Sequence, residues 1–232
     1  MKKIFITGTD TGIGKTIISG LLAKYISSKN YSNLYIKPIQ TGYPEDDDAK
    51  TIKNISPHTE TETILKFRYP SSPHLAAKLE NKTIIYSALL KNIDTIFKTT
   101  NYDYYLLETA GGLFVPIEIP KFYFNYPYNR IEFKEIKYMY NIIVDTNPDL
   151  IYLVTRPSLG TINHTLFSMD FLLKFFNEDK IIIVINFYEN LKNSLVIQDN
   201  INLFKNFFKN VLVNRYYSKE EIKKVGDIEW KI

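Results

Sequence analysis

Nine residues, Gly8-Thr9-Asp10-Thr11-Gly12-Ile13-Gly14-Lys15-Thr16, separate a short apolar run from an amphipathic segment. Ile4 to Thr7 reads as a buried strand. Lys15 to Lys29 reads as a helix, with Ile17, Ile18, Leu21, Leu22, Tyr25 and Ile26 on one broad face. A strand, a glycine-rich turn ending in Gly-Lys-Thr, and a helix constrain this chain more than any other feature. Small residues let backbone amides turn inward around phosphate oxygens, and the helix N-terminus adds partial positive charge. Thr11, Gly12, Ile13, Gly14, Lys15, Thr16 and Ile17 are therefore the candidate nucleotide cradle. Lys15 is expected to reach the β- and γ-phosphates, and the Thr16 hydroxyl to meet Mg²⁺. The strict P-loop pattern wants its first glycine where Thr9 stands, with Gly8 one residue early, so the loop is a variant. The competing reading is a glycine-rich turn that holds no ligand.

The rest of the chain repeats the alternation. Leu34 to Lys37 reads as a second strand, stopped by Pro38, and Gln40 to Pro73 as polar loop with a short helix. Ile84 to Phe97 reads as a helix and Tyr102 to Leu107 as a third strand. Leu150 to Val154 reads as a fourth strand, Thr161 to Phe176 as a helix, Ile181 to Ile185 as a fifth strand and Gln198 to Lys209 as a last helix. Such spacing predicts an α/β fold with a mostly parallel sheet, flanked by helices on both faces, of the P-loop NTPase kind. Ligands of such sheets sit beyond the carboxyl ends of the strands. A length of 232 residues suits a single domain spanning 1–232. The stretch at about 116–145, dense in Tyr, Phe and Lys, is expected as an insertion.

Composition removes several classes. The chain has no cysteine, which excludes disulfides, thiolate metal sites and a Cys nucleophile and fits a reducing compartment. Its three histidines, His58, His74 and His164, leave little for a His-rich metal site and read as structural. The net charge of +4 looks basic, but of 29 Lys and Arg only Arg68, Arg130, Arg156 and Arg215 are arginines. The lysines are scattered among 25 acids, so no nucleic-acid surface is expected. No run approaches the ~18 apolar residues of a membrane helix, and Thr7 to Asp10 interrupts the N-terminal apolar run too early for a signal peptide. A cytoplasmic protein is expected.

Three further features lie at strand ends. Glu108 follows the third strand, ahead of Ala110-Gly111-Gly112, as a Walker-B-like acid would. Asp46-Asp47-Asp48 lies in the polar loop after the second strand, either as a source of Mg²⁺ ligands or as a solvated turn. Lys37-Pro38-Ile39-Gln40-Thr41-Gly42 ends the second strand, where a lysine either snorkels or holds an anion beside the phosphates.

Together these pieces resemble the dethiobiotin synthetase family, P-loop enzymes of biotin synthesis. The family's Gly-Thr-Asp-Thr loop closing on Gly-Lys-Thr is matched by Gly8 to Thr16. Its Lys-Pro-x-x-Ser/Thr-Gly is matched by Lys37 to Gly42, and its Glu-x-Ala-Gly-Gly by Glu108 to Gly112. Ser-Pro-His is matched by Ser72 to His74, and Leu-Gly-x-Ile-Asn-His by Leu159 to His164. An Asn after a later strand is matched by Asn186. The matches run in order over about residues 1 to 190.

The resemblance implies an ATP-dependent cyclo-ligase that carboxylates 7,8-diaminononanoate with CO₂ or bicarbonate. The ureido ring closes through a carbamic–phosphoric anhydride, giving dethiobiotin, ADP and phosphate. It implies Lys37 and Lys15 as catalytic groups, and Thr16, Asp48 and Glu108 as Mg²⁺ ligands, Asp48 being chosen from its run because Asp-Ala fits the family. Thr41 and Gly111 become substrate contacts, and Asn186 reads the adenine edge. Thr161, Ile162 and Asn163 receive the substrate's carboxylate tail across the interface of a homodimer.

Departures from the family are local. Gly12 stands where some members have Glu, and Thr109 where Gly is common. The aromatic stretch is longer than usual, and no Gly-x-Ile-Pro-like segment follows Asn186, which leaves the base preference open. The main competitor is a partner-regulated ATPase switch of the MinD/ParA kind. Those proteins carry a signature lysine five residues before the loop lysine, where this chain has Asp10. An amide-forming synthetase acting on a cofactor precursor, and a binding module without turnover, also compete.

Overall fold

The computed structural model describes residues 1–119, 132–188, 195–216 and 230–232. Seven strands form one sheet: β1 (Lys2–Gly8), β2 (Asn33–Gln40), β3 (Glu60–Lys66), β4 (Tyr104–Glu108), β7 (Leu150–Thr155), β8 (Ile181–Tyr188) and β9 (Val211–Tyr216). Their order is β3-β2-β4-β1-β7-β8-β9, and every neighbouring pair is parallel. β5 (Pro116–Glu118) and β6 (Lys137–Tyr138) form a separate antiparallel pair. Parallel neighbours need crossover connections. The helices are α1 (Lys15–Ser28), α2 (Asp48–Ile55), α3 (Pro73–Leu79), α4 (Tyr86–Thr99), α5 (Met139–Thr146), α6 (Thr161–Leu172) and α7 (Leu195–Phe207).

The central strands are apolar throughout because both faces are covered. Alternate residues divide between two cores. Ile4, Ile6, Tyr35, Leu106 and Val154 point toward α1 and α2. Phe5, Ile36, Tyr105, Leu107 and Leu153 point toward α3 to α7. Among the described residues the α1 face is covered by α1 and α2, and Trp230 packs into it beside Tyr152.

The structure departs from the sequence expectations in four places. β2 continues through Pro38 to Gln40, against the expectation that proline stops it. Its pairing with β4 ends at Ile36, so beyond that point no N–H is required on that side. The polar region from Gln40 to Pro73 holds the expected short helix, α2, but also the unexpected edge strand β3, and α3 starts at Pro73 itself. β3 has the half-exposed pattern of an edge and lacks an apolar run to announce it. β9 also has no counterpart among the strands expected from the sequence. Finally, the aromatic stretch at 116–145 contributes β5, β6 and most of α5, whose Met139, Ile142 and Ile143 are core residues. Residues 120–131 of it lie outside the described residues.

Candidate active site

Strand parity brings the charged residues together. Lys37 follows Tyr35 by two positions on β2, and Glu108 follows Leu106 by two on β4, so both point to the α1 face. Tyr35 pairs with Leu106 in register, which sets Lys37 and Glu108 side by side just beyond. Lys37 Nζ lies 2.9 Å from Glu108 Oε1, 2.6 Å from Asp48 Oδ2 and 3.3 Å from the Thr109 carbonyl.

The remaining partners come from two helix starts. Thr16 Oγ1 stands 2.9 Å from Asp48 Oδ1 and 3.0 Å from Glu108 Oε1, one hydroxyl proton facing two carboxylates. Ser19, one turn further along α1, donates to Glu108 Oε2 at 2.7 Å, and Tyr35 OH donates to the same oxygen at 3.0 Å. The acidic run divides its labour. Asp47 caps α2 by accepting the Lys50 N–H, while Asp48 opens the helix and turns toward Lys37.

The phosphate loop is held from beneath. Gly14 has φ of 88°, a left-handed conformation that disfavours a side chain. A Cβ at Gly8 would press on the Ile13 and Lys15 side chains, which pack closely over the strand end there. Asn186 Nδ2 donates to the Ile13 carbonyl at 2.9 Å, and Asn214 Nδ2 donates to Asn186 Oδ1 at 2.7 Å. Lys15 Nζ donates to the Asp10 carbonyl at 2.9 Å.

These groups line a cavity of about 620 Å³. Of the residues singled out from the sequence, Thr11, Gly12, Gly14, Lys15, Thr16, Ile17, Lys37, Thr41, Asp48, Glu108 and Gly111 reach it. A recess of about 390 Å³ adjoins it, sharing Thr11, Thr41 and Gly111 and extending to Ser71, Ser72 and Pro73. The Ile13 side chain is in the core instead, and Asn186 lies buried under the loop. Thr161, Ile162 and Asn163 form the first turn of α6, outside the cavity lining. Thr161 is buried among the hydroxyls of Thr155 and Thr165, and Asn163 is exposed. His58 and His164 are exposed, and His74 is half-buried.

Two buried lysines of the cavity, Lys15 and Lys37, titrate in opposite directions. Burial pulls the Lys15 ammonium from its ordinary 10.5 down to about 8, only partly offset by Glu108. Burial also acts on Lys37, but Glu108 and Asp48 outweigh it and raise its pKa. Tyr35 is pushed well above the ordinary tyrosine value by burial and by the Glu108 carboxylate beside it, so it stays a hydrogen-bond donor. Sequence reasoning missed Ser19 and Tyr35, although the signal was present. Ser19 is three residues from Thr16 on a helix, and Tyr35 two from Lys37 on a strand, so each shares a face with a chosen residue.

A hydroxyl between two carboxylates is a hard, all-oxygen donor set. Among the described residues no group of three or more His, Cys, Asp or Glu side chains could enclose a metal by itself. That combination suits an ion held jointly by protein and phosphate, as Mg²⁺ is.

Comparison with known proteins gives the site a lineage. Residues 2–125 match the family model described as an AAA domain. An ATP-dependent dethiobiotin synthetase of Methanocaldococcus jannaschii is 35% identical over 172 residues, 73% of this chain and 72% of that protein. The counterpart from Thermodesulfovibrio yellowstonii is 32% identical over 216 residues, covering 87% and 82%. The ATP-dependent dethiobiotin synthetase BioD 2 of Haemophilus influenzae is 38% identical over 177 residues, covering 73% and 83%. Among solved structures, a plasmid partition protein of Borrelia burgdorferi bound to AMPPNP superposes with a TM-score of 0.55 at 15% identity, over 99% of this chain and 92% of that one. A ParA family ATPase of Chlorobium tepidum gives 0.51 at 15%, over 95% and 85%. At such identities the solved structures show the fold alone. The sequence relatives go further, and the chain belongs to the dethiobiotin synthetase family.

Proposed function

We propose that this chain is an ATP-dependent dethiobiotin synthetase. It carboxylates 7,8-diaminononanoate with CO₂ and closes the ureido ring. In this reading ATP lies in the 620 Å³ cavity with its phosphates against the amides of Thr11 to Ile17. Asn186, expected from the family resemblance to read the adenine edge, has its amide engaged by the Ile13 carbonyl and Asn214 and would instead support the loop beneath the phosphates. Thr16, Asp48 and Glu108 would hold Mg²⁺, which supplies charge neutralisation across the β- and γ-phosphates. Ser19 and Tyr35 fix the Glu108 carboxylate for that task.

One amine of the diamine carries CO₂ as a carbamate. A carbamate oxygen attacks the γ-phosphorus, ADP leaves, and a carbamic–phosphoric anhydride results. The second amine attacks the carbamoyl carbon, loses a proton and expels phosphate. The first step joins two anions. Lys37 offsets their repulsion by holding the carbamate, and Lys15 neutralises the γ-phosphoryl oxygens. Thr41 and Gly111 border the substrate where the cavity opens into the adjoining recess. Bringing the reactants together is most of the catalytic task.

The reading extends to a homodimer. Thr161, Ile162 and Asn163 lie off the cavity at the N-terminus of α6; Thr161 is buried and donates its N–H to the Ser158 carbonyl, which leaves the amides of Ile162 and Asn163 to suit a carboxylate. α6 and the turn after it also expose Phe167, Leu173 and Phe175. Each subunit then receives the substrate tail bound in the other. The cytoplasm is the natural setting for such ATP-consuming chemistry, and among the described residues no helix is long and apolar enough to cross a membrane.

One observation carries the proposal: Lys15, Lys37, Asp48 and Glu108, remote in sequence, share the wall of one cavity. The test is phosphate release by purified protein given ATP, Mg²⁺ and bicarbonate, with and without the diamine. Release that requires the diamine is expected. Release indifferent to it overturns the proposal in favour of a simple ATPase.

A further inference from the structure

Within the phosphate loop, residues 8–16, Asp10 is the sole carboxylate. An acid at that place opposes a polyphosphate, so its surroundings matter. Asp10 Oδ1 accepts the Thr11 N–H at 2.7 Å, and Asp10 Oδ2 accepts a hydrogen bond from Arg156 Nη2 at 2.7 Å. The Asp10 carbonyl is the group that receives Lys15 Nζ. One residue therefore joins the loop lysine on one side to an arginine on the other.

The sheet delivers Arg156 to this position. β7 lies beside β1 with Gly8 opposite Val154. The chains stay together past the strand ends. Thr9 N–H donates to the Val154 carbonyl at 3.0 Å, and the Thr9 and Thr155 hydroxyls meet at 3.3 Å. Asp10 and Arg156 are the next pair along. Pro157, which follows, is anchored through its carbonyl by Asn200 Nδ2 at 2.8 Å. Arg156 is thus attached to the body of the fold and does not hang freely from a loop.

We propose that Arg156 is a positioning residue for nucleotide binding, which cancels the Asp10 charge beside the phosphates and steadies the carbonyl that aims Lys15. The proposal rests on the reading of the loop as the nucleotide site. As a contributor to folding, a pair this exposed counts for little, with side-chain exposures of 41% and 46%. As a contributor to ligand binding it counts for more. Asp10 stands next to Thr11 at the cavity wall but outside the lining itself, so without Arg156 its uncompensated charge would oppose an anion of three or four charges through a partly solvated path.

Calorimetric titration with ATP, ADP and inorganic tripolyphosphate tests this on the full chain. Arg156→Ala is expected to weaken all three by about tenfold, tripolyphosphate included, because the effect acts on phosphates and not on the base. The deficit should shrink between about 0.05 M and about 0.5 M salt, since screening relieves repulsion. A mere loosening of the loop predicts no such salt recovery. Arg156→Lys should regain most of the affinity. Asp10→Asn with Arg156→Ala should return close to wild type, because asparagine keeps the acceptor for Thr11 and drops the charge. Arg156→Ala binding as tightly as wild type overturns the proposal, and so does a double variant no tighter than Arg156→Ala alone. Wild-type protein that binds neither ATP nor tripolyphosphate removes the nucleotide site itself, and this proposal with it; melting curves confirm that each variant is folded.

Discussion

The loop around Lys15 and the strand tips around Lys37 present two ways of burying an ammonium group in one cavity. Both lysines are nearly inaccessible, at 7% and 4% exposure. Lys15 has a neutral carbonyl as its hydrogen-bond partner. Lys37 has two carboxylates within 3 Å. Burial acts on both in the same sense, and the partners decide the outcome: Lys15 falls to about 8 while Lys37 rises. A loop built from amide dipoles leaves its lysine short of counter-charge, which a phosphate can then supply. A strand-tip cluster supplies its own. The first region is poised to receive an anion, and the second is paired within itself, so carbamate and Mg²⁺ would have to exchange with the Lys37–carboxylate contacts there.

Removing each lysine gives the largest expected contrast. Lys37→Met leaves Glu108 and Asp48 without their cation and should cost about 3 kcal/mol of stability, roughly 6–10 °C in melting temperature for a chain of this size. Turnover should drop by at least about 10³-fold, since preorganised charge at the transferring group is lost. Lys15→Met removes a charge that burial disfavours. It should leave the fold unharmed or raise its stability by about 1 kcal/mol, while abolishing tight ATP binding. Calorimetric melting and nucleotide titration of the two variants read both quantities. Equal destabilisation by the two substitutions would break the contrast drawn above.

pH sharpens the same contrast with a smaller effect. Free Lys15 titrates near 8, and bound phosphates would hold its proton to higher pH. Nucleotide affinity should be flat below pH 7 and weaken by up to about tenfold per unit above 8, with uptake of close to one proton near pH 9. Titration in buffers of different ionisation heats measures that uptake. For folding, the lowered pKa of Lys15 means the unfolded chain holds more protons between 8 and 10.5, so this group favours the folded state increasingly as pH rises through that window. Lys37 acts oppositely. Its contribution is complete below 10.5 and is lost as pH passes its raised value. Affinity independent of pH from 7 to 9 would mean that Lys15 already has a counter-charge.

How much of this was legible in the sequence differs between the two regions for a physical reason. The loop is contiguous, so Gly14, Lys15 and Thr16 announce themselves by local spacing and their place between a strand and a helix. The strand-tip cluster is assembled by sheet register. Lys37 and Glu108 could be chosen as strand-end residues, but their contact depends on β2 lying next to β4, which no local pattern encodes. The family resemblance selected Asp48, and the geometry is compatible with that choice, since Asp47 caps the helix while Asp48 faces Thr16 and Lys37. Pro38 misled because the rule about proline in strands concerns pairing, and pairing with β4 had already ended. β3 was missed because Glu60-Thr61-Glu62-Thr63 puts polar residues on both sides, as an edge strand tolerates. The Asp10–Arg156 contact spans 146 positions and follows only from β7 lying beside β1.

The smallest effect tests how firmly the satisfied region is held. Glu108 Oε2 accepts from both Ser19 and Tyr35, while Oε1 faces Lys37 and Thr16. Tyr35→Phe deletes one of two donors to Oε2 and keeps the ring that packs beneath. The carboxylate retains Ser19, so the loss in stability should be about 1 kcal/mol. Its orientation should relax slightly, raising the Mg²⁺ concentration needed for half-maximal phosphate release by a few fold and changing the KM for the diamine little. A Mg²⁺ titration of phosphate release separates those two readouts. If the diamine KM moved while the Mg²⁺ requirement stayed put, Tyr35 would be acting through Lys37, two residues along the same strand face, and Glu108 would be a counter-ion for that lysine before it is a ligand for the metal.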